Sequence, residues 1–568
     1  MSKTQTADKK KVAAQPGNVI GFTIFGKKFQ ISREEQVSSA LLVILLMVVY
    51  SIRSNFLLMP FERDEGFYSY IGTLIIDGKI PYKDFFEVKF PGLFYFYGLM
   101  VSLFGDTVKG MHTGFMYLNM LTIIIIYFAA RNLFSPIAGL ISATTFAVVS
   151  LTPNLSGFTV QAEHIVALFI SFSILVYSVA RKTKKWYWYF MMGLALGCAI
   201  MVKTSAIFLC LWGGVVIIID FLFTRPLKIK DLLVNGFSYT IGGAVVIGTI
   251  FLVIYSQGAF KDMIYCAVEA PRKYISGMPY EEGIKYFKYT RDSIVLNYKF
   301  FWVHAILAAG VFLVRSIDLK MVFFGITLMV ASFLTIVPGY FFYGHYWIQM
   351  LPGLSIAAGL TFFGIISLLE RSIKTGKFNL RYVYLVIFAM VTINHVMTQK
   401  SYYFHPNYDM ILRQVYGSNP FPEAMEIGNF INANSKPEDK IVLIGSEPQI
   451  YFYTKKRCPS RFAYFTGLVT NTDQAKDGQR EFVKDVEAAK PRYLVFFNHP
   501  ISLLVQPDAD RYVFEWANKY ITEGYDLVGC VEMKDGFAST YAWKEQLVNF
   551  KPNSQNQIYI YERKKATS

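Results

Sequence analysis

The sequence predicts a polytopic α-helical membrane protein that ends in a small α/β domain. Three observations predict it. Of 568 residues, 54% are apolar and 17% charged, with a mean hydropathy of +0.35, whereas soluble domains carry about 25% charged residues. Apolar stretches of membrane length, about 17–25 residues, recur through 39–400. Beyond 400, helix and strand signals alternate, as in α/β domains. The 51 Phe and 38 Tyr exclude disorder, and five Cys in 568 residues exclude a disulfide scaffold.

The elements follow in order. Residues 1–38 are a polar, basic tail (Lys9, Lys10, Lys11, Lys27, Lys28, Arg33) without a cleavable signal pattern, so this end is expected in the cytoplasm. Apolar spans then lie near 39–58, 112–133, 136–152, 161–180, 187–203, 205–222, 232–256, 297–315, 320–338, 347–368 and 381–398, about eleven in all. With the N-terminus inside, the inner loops carry Arg131, then Arg181, Lys182, Lys184 and Lys185, then Arg225, Lys228 and Lys230. Arg315 and Lys320 follow, and finally Arg371, Lys374, Lys377 and Arg381. Each inner connection is basic, as the positive-inside rule requires, and an odd count places the C-terminal region outside.

The first outer loop, 59–111, is long and acidic, with Glu62, Asp64, Glu65, Asp77, Asp84 and Glu87. Within it Phe67, Tyr70, Ile71, Leu74 and Ile75 recur at helical spacing, which predicts a short amphipathic helix lying in the membrane interface. Pro60, Gly78, Pro81 and Pro91 punctuate this segment. A second long outer loop, 257–296, holds Arg272, Lys273 and Arg291 among tyrosines. In the outer domain, 401–568, helices are predicted at 421–434, 478–489 and near 510–520, and strands at 441–445, 492–497, 525–532 and 557–563.

The formal charge of +16 invites a nucleic-acid reading, which its distribution excludes. Residues 1–398 hold 35 Lys/Arg against 20 Asp/Glu, and residues 399–568 hold 21 against 20. The excess is that of inner membrane loops.

Few residues have the setting for chemistry. Asp64 and Glu65 follow the first span; either they are solvated loop acids or one is a general base at the membrane surface. Glu163 opens the fourth span in Gln161-Ala162-Glu163-His164. An ionisable group there marks a functional site or simply favours the helix N-terminus. His164 falls about 100° round the helix and reads as structural. Lys89, among aromatics in Phe85-Phe86-Glu87-Val88-Lys89-Phe90-Pro91-Gly92, either snorkels or meets a lipid-linked phosphate. Lys203, at the outer end of the fifth span, and His345, before the tenth, admit the same pair of readings. The P-loop, HExxH, GxSxG and CxxC patterns are all missing, and seven scattered His give no zinc cluster. Cys458 and Cys530 are both expected outside, where pairing would need close Cα atoms.

Several segments together resemble the GT-C superfamily of membrane glycosyltransferases. They are Arg63-Asp64-Glu65-Gly66-Phe67-Tyr68, Asp77-Gly78, Asp84 to Pro91, Gln161 to His164, Lys203-Thr204, and Gly344-His345-Tyr346-Trp347 leading to Leu351-Pro352. In the outer domain Gly445-Ser446-Glu447-Pro448-Gln449-Ile450-Tyr451 and Ser460-Arg461-Phe462-Ala463-Tyr464 are similar to the same branch, the bacterial relatives of protein O-mannosyltransferases and of the lipid A aminoarabinose transferase. The resemblance spans nearly the whole chain. It implies a GT-C-like catalytic membrane domain over 39–400, with Asp64 as catalytic acid, Glu65 beside it and Glu163 as second acid. The family's lysine before a proline falls on Lys89, although Phe90 stands here where relatives often have Pro; it would contact the lipid phosphate, with Tyr68, Lys203, Arg272, His345 and Tyr346 as further contacts. Relatives carry Arg-Tyr three and four residues after the acid, where this chain has Phe67-Tyr68; Arg63, Arg272 or His345 would then replace the missing cation.

The resemblance implies an inverting sugar transfer from a polyprenyl-phosphate donor to a lipid, glycan or protein acceptor on the outer face of a bacterial inner membrane. The expected partners are that donor, the acceptor and membrane lipids, with no nucleic acid. No cofactor is expected; a metal-dependent oligosaccharyltransferase would differ by needing a divalent cation. Two other classes stay open at this point, a lipid-linked glycan flippase and a non-enzymatic scaffold of envelope assembly.

Overall fold

The computed structural model of the chain describes residues 20–24, 27–271, 278–314, 317–372, 379–534 and 538–565. Among them, eight helices are long and apolar enough to cross a membrane, and four shorter apolar helices accompany them. The chain is a multi-span membrane protein. All the expected spans fall on helices, but those at 136–152, 187–203 and 320–338 are helices of only 14, 17 and 16 residues. A 14-residue helix rises about 21 Å, short of the ~30 Å hydrocarbon core.

Strands β1 (Ile20–Ile24) and β2 (Lys27–Ile31) pair antiparallel with Phe22 opposite Phe29, inside what the sequence reads as a plain tail. Helix α1 (Arg33–Ser54) starts where Ser32 and Glu35 form a reciprocal cap. The acids of its first turn then hold cations from distant helices: Arg381 lies 3.0 Å from Glu34, and Arg131 pairs with Glu35.

The first outer loop folds into two helices, α2 (Arg63–Ile76) and α3 (Pro91–Phe104). Helix α2 corrects the expectation of an interfacial helix. Its residues from Glu65 to Gly72 are all buried, because α3 covers one side and the outer domain covers the other. The membrane bundle continues through α4 (Val108–Leu133), α5 (Pro136–Val149), α6 (Ala162–Thr183), α7 (Trp186–Val202), α8 (Ile207–Leu222) and α9 (Ile229–Ser256). Further helices include Tyr280–Val295, Lys299–Ile306, Leu319–Leu334, Leu351–Ser372 and Leu380–Thr398. Leu351–Ser372 is buried along most of its length, whereas α9 and Leu380–Thr398 expose Phe237, Leu252 and Ile393 at the periphery. That apolar rim suits lipid, not water.

Beyond 400 a five-stranded sheet forms in the order β3-β4-β7-β5-β6. Strands β3 (Ile441–Ile444) and β4 (Tyr493–Asn498) are parallel. Parallel pairing requires a crossover, which helix Asp473–Ala489 supplies. Strands β5 (Tyr525–Met533), β6 (Ser539–Trp543) and β7 (Gln557–Arg563) pair antiparallel. The expected strands and helices are all present; β6, too short and mixed for its pattern to register, is an addition. Cys458 and Cys530 carry free thiols.

Candidate active site

One end of the helix bundle gathers nearly all the singled-out residues. Its frame is the start of α2. Glu62 caps that helix: its carboxylate accepts from Glu65 N–H at 2.7 Å, and Glu65 reaches back to Glu62 N–H at 3.1 Å. Gln161 Nε2 donates to the same Glu62 oxygen at 2.6 Å. This ties α2 to the N-terminus of α6, where Glu163 sits. Burial pushes the Glu62 carboxyl well above the usual range, and Asp64 and Glu65 add to the effect.

The two neighbouring acids at 64 and 65 have opposite settings. Glu65 is fully buried, accepts from Val160 N–H at 2.7 Å, and lies 2.8 Å from His112 Nε2. With its oxygens committed, it braces the helix start. Asp64 is half-buried and accepts from the Tyr464 hydroxyl at 3.3 Å. Burial, then Asp64, pushes the Tyr464 phenol well above its usual range, so it stays a donor.

Glu163, buried in the first turn of α6, is ion-paired with Lys203, and His345 Nε2 lies 3.9 Å from the same oxygen. Lys203 sits in the extended link between α7 and α8. Its ammonium stands 3.4 Å from the Tyr346 ring centroid, a cation–π contact. His345 and Tyr346 meet edge to face at 4.9 Å. His164, the next residue along, packs against Phe115 away from this group.

Lys89 enters from the other side. Phe90, the residue before Pro91, is held extended, and Pro91 starts α3, so Lys89 stands just outside a helix entrance. Gly92 follows at a point where an added Cβ would stand 2.7 Å from the Met201 carbonyl; that close approach brings Lys89 beside Lys203. Among the described residues, the Lys89 ammonium has no hydrogen-bond or ion-pair partner. Asp64, Glu163 and Lys89 all act electrostatically on Lys203 and on His345, so the five ionisable side chains form one cluster. Burial lifts the neighbouring Glu87 carboxyl to about 7, against the pull of Lys89 and with a push from Asp64. Tyr68 is buried within range of Asp64 and Glu87. Arg272 lies outside the described residues.

Arg63 has another duty than the phosphate contact expected of it. Its guanidinium donates to Glu447 Oε1 at 2.7 Å, Ser446 O at 2.5 Å, Ile501 O at 3.1 Å and Asn419 Oδ1 at 3.3 Å. These acceptors stand at the carboxyl ends of β3 and β4, the crevice where open α/β sheets hold ligands, and Arg63 fills it. Beside it Gly66 admits Gln449, since an added Cβ would come 2.1 Å from the Gln449 Cβ. Tyr464, Glu447 and Glu87 escaped sequence reasoning as site residues. The signal that marks the first two is the pair of outer-domain motifs at 445–451 and 460–464.

The family model described as dolichyl-phosphate-mannose-protein mannosyltransferase matches residues 88–255. ArnT from Cupriavidus metallidurans bound to undecaprenyl phosphate superposes with a TM-score of 0.57 and 13% identity, over 93% of this chain and 98% of that one. The chain has the GT-C fold. Apo ArnT gives a TM-score of 0.56 at 13% identity, with the same 93% and 98% coverage. The archaeal oligosaccharyltransferase AglB from Archaeoglobus fulgidus, in complex with an inhibitory peptide and a dolichol-phosphate, gives 0.49 at 12% identity, over 92% of this chain and 76% of that one. No curated protein matches the GT-C chain. No group of three or more His, Cys, Asp or Glu able to hold a metal is found among its described residues.

Proposed function

We propose that this GT-C chain is a membrane glycosyltransferase that moves a sugar from a polyprenyl-phosphate carrier to an acceptor at the outer membrane face. The observation that carries the reading is the shared cluster. A half-exposed carboxylate, Asp64, and an unpartnered ammonium, Lys89, both act on the Glu163–Lys203–His345 group. Undecaprenyl phosphate bound to ArnT supports a carrier of that class.

In this mechanism Asp64 is the general base on the acceptor hydroxyl or amine. The acceptor attacks the anomeric carbon, the carbon–oxygen bond to the phosphate breaks, and the phosphate leaves with the electron pair. Lys89 neutralises the charge growing on it, with Lys203, His345, Tyr346 and Tyr68 around it. A single displacement of this kind inverts configuration. Glu163 is a positioning residue that fixes Lys203. Glu65 is likewise structural in this reading, which revises its expected catalytic part. Residues 39–400 perform the transfer from a bacterial inner membrane with the N-terminus in the cytoplasm. Residues 401–568 cover the acceptor side and complete the base through Tyr464.

The test is transfer of a lipid-linked sugar by the purified full chain. Asp64→Asn abolishes transfer yet retains donor binding, Lys89→Ala raises the donor KM at least tenfold, and Asp106→Asn, an exposed loop acid, changes neither. Full transfer by folded Asp64→Asn refutes the assignment of the base.

A further inference from the structure

The opposite end of the bundle carries a second polar centre. Helix α6 has 22 residues, so at 1.5 Å per residue Arg181 in its last turn lies about 27 Å from Glu163. There a recess of about 390 Å³ opens between α4, α6, Leu319–Leu334 and Leu351–Ser372. Asn132, Ser178, Arg181, Lys182 and one acid, Asp318, line it on the polar side, and Leu133, Met321 and Phe363 on the apolar side.

Its hydrogen-bonding inventory is unbalanced. Arg181 and Lys182 bring eight N–H donors between them. The acceptors they meet are poor or already used. Arg181 Nη1 faces the Met321 thioether at 2.9 Å, and Asp318, largely exposed, stands 3.7 Å away while accepting from Lys320 N–H. Asn132 Oδ1 is shared between Lys182 at 3.4 Å and Arg131 at 3.2 Å. The adjacent Asp220 is fully engaged: it pairs with Lys320 and accepts from Tyr177 and Tyr189 at 3.1 Å each. The bundle therefore pairs Lys320 closely and leaves Arg181 and Lys182 with one long ion pair and weak or shared acceptors.

We infer that this recess binds the phosphodiester headgroup of an anionic membrane lipid. An acceptor-rich anion complements this donor set, and a guanidinium fork matches phosphate bidentately. The apolar wall at the end of membrane helices fits the glycerol and first methylenes of such a lipid, and basic pockets between helix ends are a known setting for it. The inference is independent of the proposed transfer chemistry at the far end.

The test uses the full chain in zwitterionic detergent. Its thermal midpoint rises by several degrees with phosphatidylglycerol and not with phosphatidylcholine. Arg181→Gln combined with Lys182→Gln removes at least half of that rise. Lys184→Gln with Lys185→Gln, the same charge loss just past α6, leaves it intact. An equal rise with phosphatidylcholine, or an unchanged rise in the first double variant, overturns the site. Millimolar inorganic phosphate reproducing the rise overturns the lipid as its source. Should that variant not fold, native mass spectrometry of the wild type decides: one phosphatidylglycerol retained from an equimolar mixture supports the site, and equal retention of both lipids overturns it.

Discussion

Removing Glu447 tests whether the outer domain sets the catalytic base. Glu447 is fully buried and Arg63 is 12% exposed at its side chain, with 2.7 Å between the charges. Breaking a buried pair from one side costs about 3–5 kcal/mol, because the other charge is left uncompensated. Here Ser446 O, Ile501 O and Asn419 Oδ1 still accept from Arg63, so Glu447→Ala should cost about 2–4 kcal/mol. Arg63 then relaxes and takes the first turn of α2 with it. A shift of about 1 Å in the neighbouring Asp64 lowers turnover roughly 100-fold. The assay is kcat and donor KM on lipid-linked sugar, alongside thermal unfolding. The expected result is the full loss in kcat with the donor KM within about twofold, since Lys89 and Lys203 are held from elsewhere. Lys455→Ala is the matched control. It removes another bridge between the same two parts, Lys455–Asp106 at 2.9 Å, with side chains 60% and 44% exposed, and such pairs contribute only about 0–1 kcal/mol. A folded Glu447→Ala protein with wild-type kcat would refute the argument.

Tyr464→Phe deletes the hydroxyl that donates to Asp64 with no change of shape; a hydrogen bond to a charged acceptor contributes about 1.5–3 kcal/mol, so kcat should fall at least tenfold. Glu163→Gln strands the Lys203 ammonium and should lower the unfolding midpoint and activity together. Adding Lys203→Met should recover stability but not transfer; recovery of both would show that the pair is purely structural. Glu87 sets a pH dependence. With its carboxyl raised to about 7, it is protonated below that pH and ionised above it, and an anionic phosphate beside Lys89 favours the protonated form. Donor KM should therefore be flat below pH 7 and rise by up to tenfold per unit above it. Glu87→Gln should remove the rise, and a KM profile unaltered by that substitution would exclude Glu87 as its source.

The membrane half was legible because burial in lipid writes itself as long apolar runs, and because Glu163 and Lys89 are conspicuous against them. Hydropathy windows do not see where a helix stops, so the spans read at 136–152 and 320–338 outrun helices that end at Val149 and Leu334. The difference between Asp64 and Glu65 was not legible. It depends on His112 and Val160, both far along the chain, and adjacent carboxylates carry no local mark of which will be enclosed. The same holds for Arg63. As sequence it is a spare cation beside a phosphate site; only the meeting of α2 with β3 and β4 shows its charge already neutralised. Tyr464 lay inside a segment that the GT-C resemblance had marked, but nothing in a phenol's sequence context says which acid it will reach.

The fit of Arg63 into the ends of β3 and β4 also bears on when the protein becomes active. Its partners Ser446, Glu447 and Ile501 are made some 383 to 438 residues after it. At the ~5–20 residues per second of synthesis, a nascent chain carries Asp64, Lys89 and Glu163 for tens of seconds before the start of α2 can be locked. Over that interval the acids are present without their clamp. On the proposed mechanism, completion of the outer domain works as a timer, and catalytic competence arrives only with the last third of the chain.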